Sequence, residues 1–239
     1  MHNPTFDWPA VSALLTLIVS VWMIRYRPAV QPPIPFKQPM IAFEFATSAE
    51  AIKHLFIDPL TGKPLIAYIH KMRDLNRIDF LYIGCYTAFS FTFAQQANLA
   101  YPSTGSRLAL IVAFVPGLCD VLEDIQLLNI LNLVEQQQVT DYQPELTRLS
   151  LFTWIKWLTI PWLLILLFPF FWHNGFPSKL LVLVAILVAV AGLISLLNRR
   201  QVPIPIIYVS LLFLISALVS TYALVKCFIM HFAPSSHWL

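Results

Sequence analysis

The run Pro116-Gly117-Leu118-Cys119-Asp120-Val121-Leu122-Glu123-Asp124 places three carboxylates inside a stretch otherwise apolar enough to cross a bilayer. Ionisable side chains are costly at membrane depth, so where they occur they tend to mark ion paths, proton relays or internal ion pairs. Asp120 and Asp124 are four residues apart with Glu123 between them, so a continuous helix projects all three within a sector of roughly 100°. Three negative charges that close cannot all stay ionised in a low dielectric. Some must be protonated, paired with a cation or open to a water-filled cavity.

The composition around this run decides the class. Of 239 residues, 58% are hydrophobic and only 11% charged, with a mean hydropathy of +0.72, whereas soluble domains carry about 25% charged residues. These values predict an all-α, polytopic membrane protein. The length allows six spans of about 20 residues each, with the lipid bilayer as the first partner and no room for a separate soluble domain. The net charge of +3 is small and no long basic run occurs, so nothing points to nucleic acid. The three cysteines, Cys85, Cys119 and Cys227, fall in three different hydrophobic runs, which argues for buried thiols rather than a disulfide framework.

Hydropathy and turn residues predict spans at 8–24, 79–97, 108–134, 150–172, 180–197 and 204–225. The N-terminal run lacks a basic n-region and a small-residue cleavage site, so it reads as an uncleaved first span. A proline-rich linker, with Pro28, Pro32, Pro33 and Pro35, leads to an amphipathic segment over 40–78. There Thr47 and Glu50 have capping-box spacing for a short helix. The residues Asp58-Pro59-Leu60-Thr61-Gly62-Lys63-Pro64 are turn chemistry. A basic amphipathic helix from Pro64, with Leu65, Ile69, Met72 and Leu75 on one face, is expected to lie along the inner membrane surface. Glu44 stands out in the apolar stretch Met40–Phe45, where a nearby Lys or Arg would pair with it.

Charge placement sets the orientation. With both termini on the non-cytoplasmic side, the inner loops and span ends hold Arg25, Arg27, Lys37, Lys53, Lys63, Lys71, Arg73, Arg77, Arg148, Lys156, Arg199 and Arg200. The outer ones hold only Arg107, Lys179 and Lys226. This is the positive-inside asymmetry of a multi-pass protein.

Three readings of the acidic run follow. In the first, Asp120, Glu123 and Asp124 bind a proton or cation, as in a small transporter. Broken helices near the midplane suit such sites, and carboxylate oxygens suit a divalent ion such as Mg²⁺ or Ca²⁺. Lys156 is placed as a counter-ion, and Asp79, Tyr82 and Tyr86, which share a face of the second span, as a polar path toward the cluster. In the second reading the site belongs to a metal-dependent enzyme acting on a lipid. In the third the chain is a structural or assembly subunit: Pro116-Gly117 breaks the helix, and Asp120-x-x-Glu123 caps its restart.

For the enzyme reading, Asp120-x-x-x-Asp124 resembles half of the acidic signature of CDP-alcohol phosphotransferases. That resemblance implies a six-span fold in which paired aspartates hold a metal and a diphosphate. It is confined to these residues: the Asp-x-x-Asp-Gly-x-x-Ala-Arg portion of that signature is missing, and Asp74 and Asp79 are wrongly spaced to supply it. There is likewise no Gly-x-Ser-x-Gly paired with a span histidine, no His-Glu-x-x-His and no glycine-rich phosphate loop. The absence of these motifs argues against the familiar hydrolase and nucleotide chemistries, not against every chemistry.

Overall fold

The computed structural model describes residues 8–26, 39–136 and 142–173, with a few helical positions between 183 and 194. These form eight named helices: α1 (Trp8–Arg25), α2 (Pro39–Glu44), α3 (Ala49–Phe56), α4 (Ile66–Ala100), α5 (Thr104–Val112), α6 (Val115–Glu135), α7 (Gln143–Leu166) and α8 (Phe168–His173). The all-α class holds throughout them. Two, α1 and α7, are long and apolar enough to cross a membrane, each with a mean hydropathy of 1.6. The span expected at 204–225 and nearly all of the one at 180–197 lie outside the described residues, as do Cys227 and both termini.

Several boundaries differ from the sequence reading, each for a local reason. The expected surface helix and second span are one helix: α4 runs 35 residues without interruption through Asp79. Hydropathy changes at Asp79, but nothing breaks the backbone there, because 66–83 contains neither Gly nor Pro. The expected third span is two helices. α5 ends near Ala113 and α6 restarts at Val115, so the break falls just before the Pro116-Gly117 pair expected to make it, and the restart precedes the expected one at Asp120. Pro116 then sits in the first turn of α6, where its missing N–H costs no intrahelical bond. Helix α5 also begins at Thr104, earlier than 108, because Ser103 and Ser106 form a reciprocal capping box. The span expected at 150–172 starts at Gln143 and is interrupted at Leu167, just before Pro169.

The chain divides into two compact units. The first comprises Met1–Ile18, Cys85–Phe114 and Ile160–Leu239. Its described part is packed by aromatics. Phe93 meets Phe170 edge-on at 5.6 Å, and Tyr101 stacks on His173 at 4.9 Å. The start of α5 comes so close to the end of α7 that a Cβ on Gly105 would lie 2.7 Å from the Leu166 carbonyl oxygen.

The second unit comprises Val19–Gly84 and Val115–Thr159. Its core gathers Phe43, Ile52, Leu55 and Phe56 from α2 and α3, Tyr68, Ile69 and Met72 from α4, Leu127, Ile130 and Leu131 from α6, and Leu146 and Leu149 from α7. Ile69 and Met72 are fully buried in it. The expectation that this face of the amphipathic helix lies on a membrane surface is therefore corrected: protein covers it. The cap of α3 is Ser48, one residue after the expected Thr47, and its side chain accepts a hydrogen bond from the Ala51 N–H. The expected turn forms as read. Asp58 accepts from the Leu60 N–H at 2.9 Å, and Gly62 takes the left-handed φ of 66° that glycine adopts at little steric cost.

Along α1 and along parts of α6 and α7, polar or small residues face inward and large apolar ones outward. On α1, Ser12 and Val19 are buried while Leu14, Leu15, Leu17, Ile18, Val21 and Trp22 are exposed. On α6, Asp120, Glu123, Asp124 and Gln126 are buried while Leu118 and Ile125 are exposed. On α7, Thr153 and Lys156 are buried while Leu151 and Ile155 are exposed. A soluble helix has the opposite arrangement.

Candidate functional site

Four elements of the second unit bring charge to one place. Helix α2 ends at Glu44, held by packing on either side of it: Phe43 meets Phe56 edge-on at 4.8 Å, and Phe45 meets Trp154 at 5.4 Å. Helix α4 contributes Asp79, α6 contributes Asp120, Glu123 and Asp124, and α7 contributes Lys156 and Trp157. All five carboxylates and the single lysine are buried.

Lys156 organises one side of the cluster. Its Nζ donates to Asp120 Oδ1 and Glu123 Oε1, each at 2.7 Å, and to Glu44 Oε2 at 3.4 Å. An ammonium has three donors, and here each is directed at a different carboxylate. The Trp157 indole N–H donates to the same Glu44 oxygen at 3.3 Å, and the Thr153 hydroxyl donates to the Glu44 backbone carbonyl at 3.3 Å. Burial pushes the Glu44 carboxyl above its ordinary value, against the pull of the Lys156 ammonium.

Asp79, Asp120 and Asp124 make up the other side. Each offers a carboxylate oxygen lying within 4.8 Å of those of the other two. Two unit charges 4.8 Å apart repel by about 3.5 kcal/mol at an effective dielectric of ~20. Three such pairs approach about 10 kcal/mol, comparable to the whole net stability of a domain. Asp124 is 1% exposed, and neither of its oxygens has a hydrogen-bond partner. Glu123 Oε2, both polar atoms of the Asn76 side chain and Gln126 Oε1 are also buried without partners. Most buried polar groups in native proteins are paired, so such a set on two helices calls for an explanation.

The structure thus regroups the residues named from sequence. Asp120, Glu123 and Asp124 do share the inward face of α6, and Lys156 is the counter-ion expected of it. Glu123, however, is engaged by Lys156, while Asp79 joins Asp120 and Asp124. Tyr82 shares a hydrogen bond with Ser20, and Tyr86 is partly buried one turn further along α4, in the other unit. The capping expectation is corrected. No acidic residue lies in the first turn of α6, and Asp120 is its sixth residue, beyond the free N–H groups. Glu44 does pair with a lysine, as its isolation in an apolar run suggested. The indole donor Trp157 had one signal in the sequence, its place beside a lysine in an apolar run.

A second charged group joins α4 to α6 at the surface. Arg73 donates to Asn132 Oδ1 at 2.9 Å and to Glu135, and Glu135 also lies 2.8 Å from the His70 ring. The Arg73 and His70 hydrogen bonds hold the Glu135 carboxyl below its ordinary value.

No protein-family model, curated protein or solved structure matches this chain.

Proposed function

We propose that this chain is a six-span helical membrane protein whose function resides in an intramembrane acidic site, built on Asp79, Asp120, Glu123 and Asp124, that binds a proton or a cation as a small transporter does. One observation carries the reading: five buried carboxylates face one buried lysine. Lys156 can balance a single charge, and the remainder need protons or a bound cation.

Membrane placement is supported by the inverted polarity of α1 and of the stretches around Leu118–Gln126 in α6 and Leu151–Lys156 in α7, since large apolar side chains turned outward suit lipid and small or polar ones turned inward suit helix contacts. Helix α4, 35 residues long, measures about 52 Å at 1.5 Å per residue, against a hydrocarbon core of about 30 Å. Its first part would therefore project from the bilayer as the stem of the apolar core formed with α2 and α3. The excess of Lys and Arg in the connections assigned to the cytoplasmic side supports placing both termini opposite.

A purely structural cluster is the second reading, and the 2.7 Å contacts of Lys156 favour it. It gives no role to Asp79 and Asp124, which is why the binding reading is preferred.

Reconstitution into liposomes tests the proposal. Imposed gradients of H⁺, Na⁺, K⁺, Mg²⁺ or Ca²⁺ should drive a flux above that of empty vesicles. Asp124→Asn should abolish that flux while membrane insertion and the thermal midpoint are retained. Equal fluxes in protein-containing and empty vesicles for every ion would contradict it.

A further inference from the structure

We infer that Asp79, Asp120 and Asp124 form a binding site for one hard divalent cation, with Glu123 turned away to Lys156 rather than serving as a ligand. This rests on the proposed function and narrows it from a proton or any cation to one class of ion at three named side chains.

The donor set comes from α4 and α6 of the same compact unit, so two helices and not a flexible loop position it. Three carboxylate oxygens lie within 4.8 Å of one another. Three oxygens spread evenly around one ion lie at most about 4.0–4.5 Å apart for Ca²⁺ and about 3.5–3.6 Å apart for Mg²⁺, given their usual metal–oxygen distances. Oxygens at the 4.8 Å limit need to close by about 0.3–0.8 Å to hold Ca²⁺ and by more to hold Mg²⁺. The three donors are all carboxylate oxygens, which selects hard cations over the thiolate- and imidazole-binding metals.

Acidic clusters are common without ions; the distinguishing feature is Asp124. It is almost fully buried, both its oxygens lack partners, and one of them reaches the other two carboxylates. Lys156 cannot serve in place of the ion, because its three contacts are with Asp120, Glu123 and Glu44. Its ammonium instead sits beside the site, balancing Glu123 and anchoring one oxygen of Asp120. The Asp79 and Asp124 carboxylates are left for the ion.

The test uses the full chain in lipid nanodiscs, stripped with chelator and titrated with Mn²⁺ as the paramagnetic probe. About one Mn²⁺ per chain should bind, displaced by Ca²⁺ or Mg²⁺, whichever matches the site better, and not by Na⁺. Asp79→Asn and Asp124→Asn should each weaken binding by about 100-fold, the upper end of what even outer ligand partners cost. Glu50→Gln, on an exposed turn of α3, should bind like the wild type. Independently of any variant, Mn²⁺ should shift the infrared carboxylate bands of the wild-type protein. Absence of binding and of that shift overturns the inference, as does unchanged binding by Asp124→Asn. If Asp124-dependent proton or monovalent flux persists without divalent binding, this inference falls and the proposed function stands; if neither is found, both fall.

Discussion

The two halves of α6 face the same protein interior with opposite chemistry. From Cys119 to Gln126 the buried positions include Asp120, Glu123, Asp124 and Gln126; from Leu127 to Val134 they are Leu127, Ile130, Leu131 and Val134. The apolar half needs only complementary shape, which α2, α3, α4 and α7 supply. The polar half needs charge from elsewhere, and Lys156 supplies only part of it. One half of the helix therefore specifies how the unit packs, and the other leaves buried polar atoms of Glu123, Asp124 and Gln126 without partners.

The largest effect should come from removing Lys156, the only buried cation among the described residues. Lys156→Ala leaves Asp120, Glu123 and Glu44 without their ammonium and should destabilise the protein by about 3–5 kcal/mol, read as a loss in denaturant unfolding of the detergent-solubilised chain. Adding Asp120→Asn and Glu123→Gln to Lys156→Met should recover most of that loss, because the uncompensated charges go with it. Leu131→Ala, in the apolar half, should cost about 2–5 kcal/mol through a cavity, with no change in ion binding. If Leu131→Ala impaired binding as much as Asp124→Asn, the functional division between the halves would be wrong.

Smaller effects belong to the exposed group at the end of α6. Arg73→Ala should cost about 1 kcal/mol or less, since partly solvated ion pairs contribute little. Glu135 is held below its ordinary value in the folded protein. Its stabilising contribution is therefore complete above the unfolded-state value of about 4.3 and is lost as pH falls through the lower folded value. An acid titration of the thermal midpoint should show this step in the wild type and a weaker one in Arg73→Ala.

Much of this was legible in the sequence for physical reasons. Three carboxylates at i, i+3 and i+4 had to share a face of any helix, and a lone lysine in an apolar run had to find them. Glu44, isolated between Phe43 and Phe45, announced a buried partner in the same way. Asp79 was harder to read, because a carboxylate where hydropathy changes looks like the start of a span. The i, i+4, i+7 register of Met72, Asn76 and Asp79 continues across that point, and it was the signal that α4 does not stop. The division of labour between Glu123 and Asp79 was not legible, because it depends on where α7 sets Lys156 against α6. The burial of Ile69 and Met72 also depended on tertiary packing, since an amphipathic helix can meet lipid or protein equally well.

The most direct measurement of whether the buried acidic cluster needs exchangeable positive charge is the infrared spectrum of the chelator-treated protein at neutral pH. A carbonyl band from protonated carboxyl groups is expected, weakened in Asp124→Asn and diminished when Ca²⁺ or Mn²⁺ is added. If no such band appears in wild-type protein that also holds no cation, the carboxylates are satisfied within the chain, contradicting the proposed site.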